Sequence, residues 1–238
     1  MSFIQYIRPM TRRSAVVAVL TGDVVGSSTI KDRRQLNATL KKLFKQLRKH
    51  VPGTVREMEI YRGDSFQGVM APEHVLRAAL VIRAGLRQWD LPKGGSVRKG
   101  TTMGRLPDAR IAIGIGTVSY RSAKVIESDG EAFRSSGRAL DRLSGTKARL
   151  SIQTPWPEVN DELEVVSKLL DALIGRWSPA ASQAVLLSLL TDATQVEVSK
   201  KLGISQPAVH KRLGTASLDA VKAALGRFEK LVQSHTAA

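Results

Sequence analysis

The chain has 238 residues, with 37 lysines and arginines against 21 aspartates and glutamates, and it contains no cysteine. The absence of cysteine excludes a disulfide scaffold, a thiolate zinc site and a cysteine nucleophile. The longest apolar runs fall far short of the ~20 residues that span a bilayer, and the first residues lack the apolar core of a signal peptide, so we expect a cytoplasmic protein without a membrane partner.

The positive charge is confined to one part of the chain. Residues 1–152 hold 28 basic and 12 acidic residues, whereas residues 153–238 hold 9 of each. A region this basic attracts polyanions, which makes a nucleic acid or a nucleotide the expected partner, with an ordinary solvated surface as the alternative. Together with the change in predicted elements described next, this predicts two domains, 1–155 and 156–238.

Strands and helices alternate in the first domain. The β-branched run 16–22 predicts a buried strand, and apolar residues at helical spacing over 31–50, with lysines between them, predict a helix with a basic outer face. The remaining predicted elements are a hairpin with its tip at Gly63-Asp64, a helix opened by Pro72, a strand over 111–115, a helix over 131–143 and a possible last strand over 148–152. This order fits an α+β fold of the ferredoxin-like kind, with helices on one face of a sheet.

The second domain is predicted to be all helical. A helix follows Pro157, and further segments cover 181–190, 195–202, 206–213 and 216–232. The last of these is amphipathic and is a candidate surface for association with another chain.

Residues 195–213, QVEVSKKLGISQPAVHKRL, carry the pattern of two crossed helices. The small side chain of Ser199 permits close approach, and Gly203 permits the positive φ of the turn. Ser205 is a predicted N-cap. This stretch resembles the helix-turn-helix of bacterial transcription factors, and the resemblance implies a DNA-binding regulator. Its groove-facing residues would be Ser205, Gln206, His210 and Lys211, with Arg212 near phosphate.

A helical bundle that contacts only protein is the alternative for this region. From Ser178 onward the chain has 7 basic and 4 acidic residues, which is a small excess for a module that binds a major groove. DNA affinity would therefore depend on dimerisation or on the basic first domain.

Two aspartates occupy informative positions. Asp23 follows the first strand in TGDVVGSST, and Asp64 stands at the hairpin tip in YRGDSFQ. The predicted sheet places the first strand beside the hairpin, so both carboxylates can converge on one edge, as in sites that hold Mg²⁺ or Mn²⁺ against phosphates. The segment between Asp23 and the first helix offers backbone N–H groups to phosphate through Gly26, Ser27, Ser28 and Thr29. The alternative is that each aspartate is an ordinary cap or turn residue.

These segments carry a family resemblance. VAVLTGDVVGSS and RGDSFQGV resemble the two metal-binding segments of class III adenylate/guanylate cyclases, and RGDSF also looks like the hairpin of diguanylate cyclases. IAIGIGTVS and the following DGEAFRSSGRAL are similar to a cyclase strand and its helix, so the resemblance covers about residues 14–145. With the C-terminal helix-turn-helix, the whole chain resembles the SatD family. The resemblance implies Asp23 and Asp64 as metal ligands and a homodimer.

The chain departs from the cyclase pattern where the base is selected. Ile60 stands where cyclases have a purine-selecting lysine, and the second selecting residue falls near Glu127. Arg134 replaces the asparagine that orients the ribose, whereas Arg138 matches the arginine that stabilises the transition state. With Arg142, these two arginines form a row on one helix face that suits phosphate.

Phosphate and metal groups are thus kept while base selection is altered, which favours a nucleotide sensor over a cyclase. The alternative is an enzyme, a metal-dependent nucleotidyl cyclase or nucleotidyltransferase, in which Arg138 neutralises charge on the reacting phosphate and the helical tail regulates. A nucleic-acid scaffold with an inactive palm-like domain is a third interpretation.

Overall fold

A mixed sheet forms the centre of the molecule in the computed structural model, which describes residues 16–27, 33–51, 58–88, 106–120 and 128–236. In this part of the chain six strands pair in the order β2-β3-β1-β4-β5, and β6 also pairs with β4. The strands are β1 (Val16–Val25), β2 (Glu59–Arg62), β3 (Ser65–Met70), β4 (Asp108–Tyr120), β5 (Asp129–Gly130) and β6 (Leu150–Gln153). All pairs are antiparallel except β4 with β6.

Two helices cover one face of the sheet. They are α1 (Arg33–His50) and α2 (Val75–Arg87), the latter preceded by a 3₁₀ turn over Pro72–His74. The apolar stripe of α1 packs with Ala18 and Leu20 of β1 in the main hydrophobic core. The lysines between these apolar residues remain exposed, as the sequence pattern predicts.

The other face is covered by α3 (Glu131–Ser144), so the expectation of helices on one face only was wrong. Alternate β1 residues Val17 and Val19 pack there against α3, which explains why β1 is apolar on both sides. Gly114 of β4 permits the close approach, because a Cβ at this position would lie 2.2 Å from the carbonyl oxygen of Ala132. Thr21 Oγ1 and Ser136 Oγ, 3.0 Å apart, join β1 to α3 in the buried layer.

The rest of the chain is helical. Its helices are α4 (Pro157–Gly175), α5 (Pro179–Thr191), α6 (Gln195–Leu202), α7 (Gln206–Thr215) and α8 (Leu218–Thr236). Residues from both sides of position 155 belong to the same hydrophobic core, and α5 packs against α2. The apolar residues of α8 are buried in this core, so they are not available for the association considered from the sequence. Within the described ranges, no helix is both long and apolar enough to cross a membrane.

Candidate functional site

The two aspartates singled out from the sequence lie on β1 and in the turn of the neighbouring β2–β3 hairpin. Asp23, near the end of β1, pairs in register with Ser65, the first residue of β3. The next residue along β1, Val24, donates its N–H to the backbone oxygen of Asp64 at 3.1 Å. The β2–β3 hairpin thus brings the backbone of Asp64 beside the end of β1, whereas convergence of the two carboxylates on one ion stays a prediction.

Both carboxylates have partners in this arrangement. Arg110, opposite Asp23 on β4, donates from Nε to Oδ1 at 3.0 Å and from Nη2 to Oδ2 at 2.5 Å. Ser27 donates its hydroxyl to Oδ2 of Asp64. The side chains of Asp23 and Arg110 are 22% and 24% exposed, so solvent and ligands reach the pair.

Arg110 therefore decides what Asp23 can bind. Its guanidinium neutralises the carboxylate, and its Nη1 also donates to the carbonyl oxygen of Ser144 at the end of α3, at 3.1 Å. A divalent cation between Asp23 and Asp64 has to displace this guanidinium from Asp23. Across the described ranges no group of three or more histidine, aspartate or glutamate side chains is placed to hold a metal ion.

The predicted phosphate-binding segment is only partly described. Gly26 adopts φ 72° in the turn after β1, a conformation that favours glycine, and Ser27 contacts Asp64 as above. Ser28, Thr29 and Glu127 lie outside the described residues. Ile60, which the sequence resemblance aligns with the cyclase lysine, pairs with Phe66 and packs against the main core.

The three arginines of α3 all lie on its exposed side. Arg134 is engaged by Asp129, with both carboxylate oxygens 3.0 Å from Nη1. Arg142 lines a cavity of about 310 Å³ between α3, β6 and α4. Arg138 is exposed and lies between them on the same helix face, where a phosphate can reach it from solvent.

Helix α6 begins and ends at the predicted residues, and α7 begins at the predicted Gln206 but continues two residues beyond its predicted end, to Thr215. Thr194 caps α6 in a reciprocal box with Glu197, and Gly203 ends it at φ 64°. Ser205 caps α7 by accepting a hydrogen bond from the Ala208 N–H at 3.4 Å. The residues predicted to face a groove are Ser205, Gln206, His210 and Lys211, which are exposed, and Arg212, which is half-buried.

A groove joins this helical region to the basic face of α1. Its cavity of about 540 Å³ lies between α1, α2, α5 and α6. Lys42 of α1 and Lys201 of α6 both line it, and none of the described lining residues is acidic. One lysine from α1 and one from the end of α6 therefore face the same groove.

Sequence reasoning missed a buried charge cluster at the junction of α2, β4 and α4. Arg83, which is fully buried, binds Asp108 with Nε–Oδ1 at 2.9 Å and Nη2–Oδ2 at 3.1 Å, and its Nη1 donates to Asp171. Arg87 donates to Oδ2 of Asp108 at 3.1 Å. Its Nη2 donates to the carbonyl oxygens of Gly175 and Trp177, at 3.1 and 3.0 Å.

The cluster favours the ionised forms of Arg83 and Asp108, whereas burial lowers the pKa of Arg87. Burial alone would raise the pKa of Asp108, but Arg83, Arg87 and the Ala109 N–H outweigh it and hold that pKa below its ordinary value. Burial lowers the pKa of Arg83, and the carboxylates of Asp108 and Asp171 more than reverse this. A signal was present in the sequence, since α2 carries three arginines, Arg77, Arg83 and Arg87, among apolar residues and contains no acid of its own.

Comparisons with known proteins give only weak matches to this chain. No family model matches the chain, and no curated protein matches it, so membership in the SatD family stays a prediction. Two solved structures of a bacterial light-regulated adenylyl cyclase match 61% of the chain at 14% and 13% identity, with TM-scores of 0.40 and 0.39. The matched region spans 46% of those cyclase chains. Because these structural similarities are weak, the cyclase interpretation depends on the residues at the sheet edge.

Proposed function

We propose that this protein is a DNA-binding regulator whose sheet-edge site binds a nucleotide. The observation that carries the proposal is the groove that Lys42 of α1 and Lys201 of α6 line together, without an acidic residue among its described lining, beside an exposed and capped α7. In this proposal α7 enters the major groove, where Gln206, His210 and Lys211 meet base edges, and the lysines of α1 contact the phosphate backbone.

The exposed face of α1 supplies the positive charge that α6 and α7 lack. The region from Ser178 has a small excess of positive charge, whereas α1 presents Lys41, Lys42 and Lys45 to solvent. Because affinity for DNA depends mainly on the number of phosphates neutralised, α1 provides most of the sequence-independent binding. Lys42 and Lys201 in one groove are the point where the two contributions meet.

The test is DNA binding as a function of salt. Lys211→Ala with Arg212→Ala is expected to abolish sequence-specific binding while leaving weak nonspecific binding. Lys42→Ala with Lys201→Ala is expected to weaken binding to all sequences and to reduce the slope of log K against log salt by about two. Lys230→Ala on α8, an exposed lysine away from the groove, is the control. Unchanged affinity and salt slope in both double variants would contradict the proposal.

The nucleotide part of the proposal concerns Asp23, Asp64, Arg110 and Arg138. Arg138 and the backbone around Gly26 and Ser27 bind phosphate oxygens. A phosphate that draws Arg110 away frees Asp23 to share a Mg²⁺ or Mn²⁺ ion with Asp64. Arg110 is then the group that couples phosphate binding to metal binding.

Calorimetric titration with a nucleoside triphosphate, with and without Mn²⁺, tests this part. Asp64→Asn is expected to remove the Mn²⁺-dependent share of binding. Arg110→Gln is expected to increase affinity for Mn²⁺ alone, because Asp23 then has no guanidinium to release. Retention of Mn²⁺-dependent binding in Asp64→Asn would refute the metal site.

A second candidate function is a metal-dependent nucleotidyl cyclase or nucleotidyltransferase. The juxtaposition of Asp23 and Asp64 favours it, together with the exposed Arg138, whereas Ile60 in place of the purine-selecting lysine argues against it. Mass spectrometry of products after incubation with the four nucleoside triphosphates and Mg²⁺ or Mn²⁺ separates the two. A cyclic or linked nucleotide that disappears in the Asp23→Ala/Asp64→Ala variant would establish the enzyme.

A further inference from the structure

Helix α4 exposes an unusual amount of apolar surface. Val165 and Leu169, one turn apart, are 57% and 61% exposed. Within the described ranges the next most exposed large apolar residue is Val196, at 44%. Two of these three exposed apolar residues lie on one face of α4, which indicates a surface that a binding partner covers.

The exposed face of α4 has the periodicity of a helix–helix contact. Successive residues along its middle are separated by four, three, four, three and four positions, the spacing of a coiled-coil seam. This α4 stripe consists of Glu158, Glu162, Val165, Leu169, Ala172 and Arg176. All of these residues are exposed except Glu162, which is half-buried.

The α4 stripe is complementary to a copy of itself in the opposite direction. When two copies of α4 lie antiparallel with their Ser167 positions level, Val165 of each copy lies against Leu169 of the other. The same arrangement places Glu158 against Arg176 of the second copy, so each end of the contact acquires one ion pair of opposite charges. Such self-complementarity is the requirement of a twofold interface.

The helix dipole explains only part of this pattern. Glu158 in the first turn and Arg176 just beyond the last are each favoured by the dipole of α4 itself. The dipole does not account for Val165 and Leu169 at the centre, whose exposure to water costs free energy. Burying both in the antiparallel arrangement removes that cost and leaves the terminal charges matched.

The neighbours of the α4 stripe leave it open to a partner. Glu162 is held to one side by Arg227 of α8, with Nε–Oε1 at 2.8 Å, and Ala172 is the small residue that would stand opposite it. His235 lies 3.4 Å from Glu158, and Arg176 is exposed. The apolar face of α8, by contrast, is already buried within the same chain.

We propose that a second copy of this chain docks antiparallel on the α4 stripe and forms a twofold dimer. This inference is independent of the proposed function, since it uses none of the residues assigned to DNA or nucleotide. The helix has 19 residues and is about 28 Å long. A contact of this length is at the small end of stable interfaces, so the dimer dissociates on dilution.

Sedimentation velocity of the full chain over a range of concentrations tests the proposal. The 25.9 kDa chain is expected to shift from monomer to dimer with increasing concentration. Leu169→Asp is expected to raise the dissociation constant at least tenfold, and Val165→Asp is the second variant if the first does not fold. Circular dichroism confirms folding of each variant.

Charge reversal distinguishes this geometry from other dimers. Glu158→Arg and Arg176→Glu each place like charges opposite one another and are expected to weaken association, whereas the double variant restores it. Lys230→Glu changes the net charge as Arg176→Glu does and is expected to leave association unchanged. A wild-type chain that stays monomeric, or a dimer insensitive to the Asp variants and unrescued by the double reversal, would overturn the proposal.

Discussion

Two arginine–aspartate pairs involve β4, two residues apart along the strand, and they differ in burial. Asp108 is 2% exposed and bound to Arg83 and Arg87, whereas Arg110 is 24% exposed and bound to Asp23. A buried charge without its partner is costly, so the first pair has to persist in the folded protein. Water reaches the second pair, whose side chains are about a quarter exposed, so this pair separates at lower cost than the buried one, which is what a ligand-responsive site requires.

The comparison assigns different roles to the same chemistry. The buried cluster joins the sheet to α4, because Asp171 accepts from Arg83 and also from the N–H groups of Arg149 and Leu150, at 2.8 and 3.1 Å. The exposed pair joins Asp23 only to Arg110 and the end of α3. Stability is therefore expected to depend on the first pair, and ligand binding on the second.

Removal of Asp108 is the most severe test of this division. Asp108→Ala leaves Arg87 with only the carbonyl groups of Gly175 and Trp177, and it is expected to destabilise the fold by about 3–5 kcal/mol. Urea unfolding followed by circular dichroism measures the loss. A change below about 1 kcal/mol would mean that water reaches the cluster and that burial does not separate the two pairs.

Acid provides a second test of the buried pair. The pKa of Asp108 is lower in the folded protein than in the unfolded chain, where it is about 3.9. Its contribution to stability is therefore complete above about pH 4 and is lost as the pH falls through the folded-state pKa. The free energy of unfolding of wild type minus that of Asp108→Asn is expected to fall along this range. A pH-independent difference would contradict it.

Disturbing the close packing of α3 on β4 is expected to cost less stability than removing Asp108 and more than removing Asp23. Gly114→Ala places a Cβ 2.2 Å from the Ala132 oxygen and 2.7 Å from the Ser136 nitrogen, so α3 has to move. We expect a loss of about 1–3 kcal/mol and a disturbed contact between Arg110 and Ser144, with the Asp108 cluster unaffected. Thermal unfolding measures the first effect.

The matched control for this variant is Gly137→Ala in the same helix. A Cβ there meets no heavy atom within 4 Å, so the substitution is expected to stabilise α3 by up to about 1 kcal/mol. Equal effects of the two substitutions would mean that the close approach at Gly114 does not position α3.

Removal of Asp23 is expected to have the smallest effect on stability. Asp23→Ala breaks a pair with 22% and 24% exposed side chains, which is worth about 0.2–1 kcal/mol. The same urea measurement as for Asp108→Ala applies, with nucleotide binding as the second readout. A loss as large as that of Asp108→Ala would show that the sheet edge is structural rather than ligand-responsive.

The element order and the ends of several helices could be predicted from the sequence because they depend on neighbouring residues. Apolar spacing in α1 and α2, the cap at Ser205 and the turn at Gly203 are local features. The hairpin position of Asp64 is equally local, and the β-branched run before Asp23 predicts a strand beside it. The division into domains and the roles of the site residues remain predictions.

The tertiary structure alone decided which charges meet. Arg110 binds Asp23 from 87 positions away, and Arg83 binds Asp171 from 88, distances over which no periodicity or motif carries information. The second helical layer over the sheet likewise depends on Gly114 opposite Ala132, a contact between distant segments. Local sequence sets backbone conformation through sterics and hydrogen bonding, whereas the pairing of buried charges is set by how the chain packs.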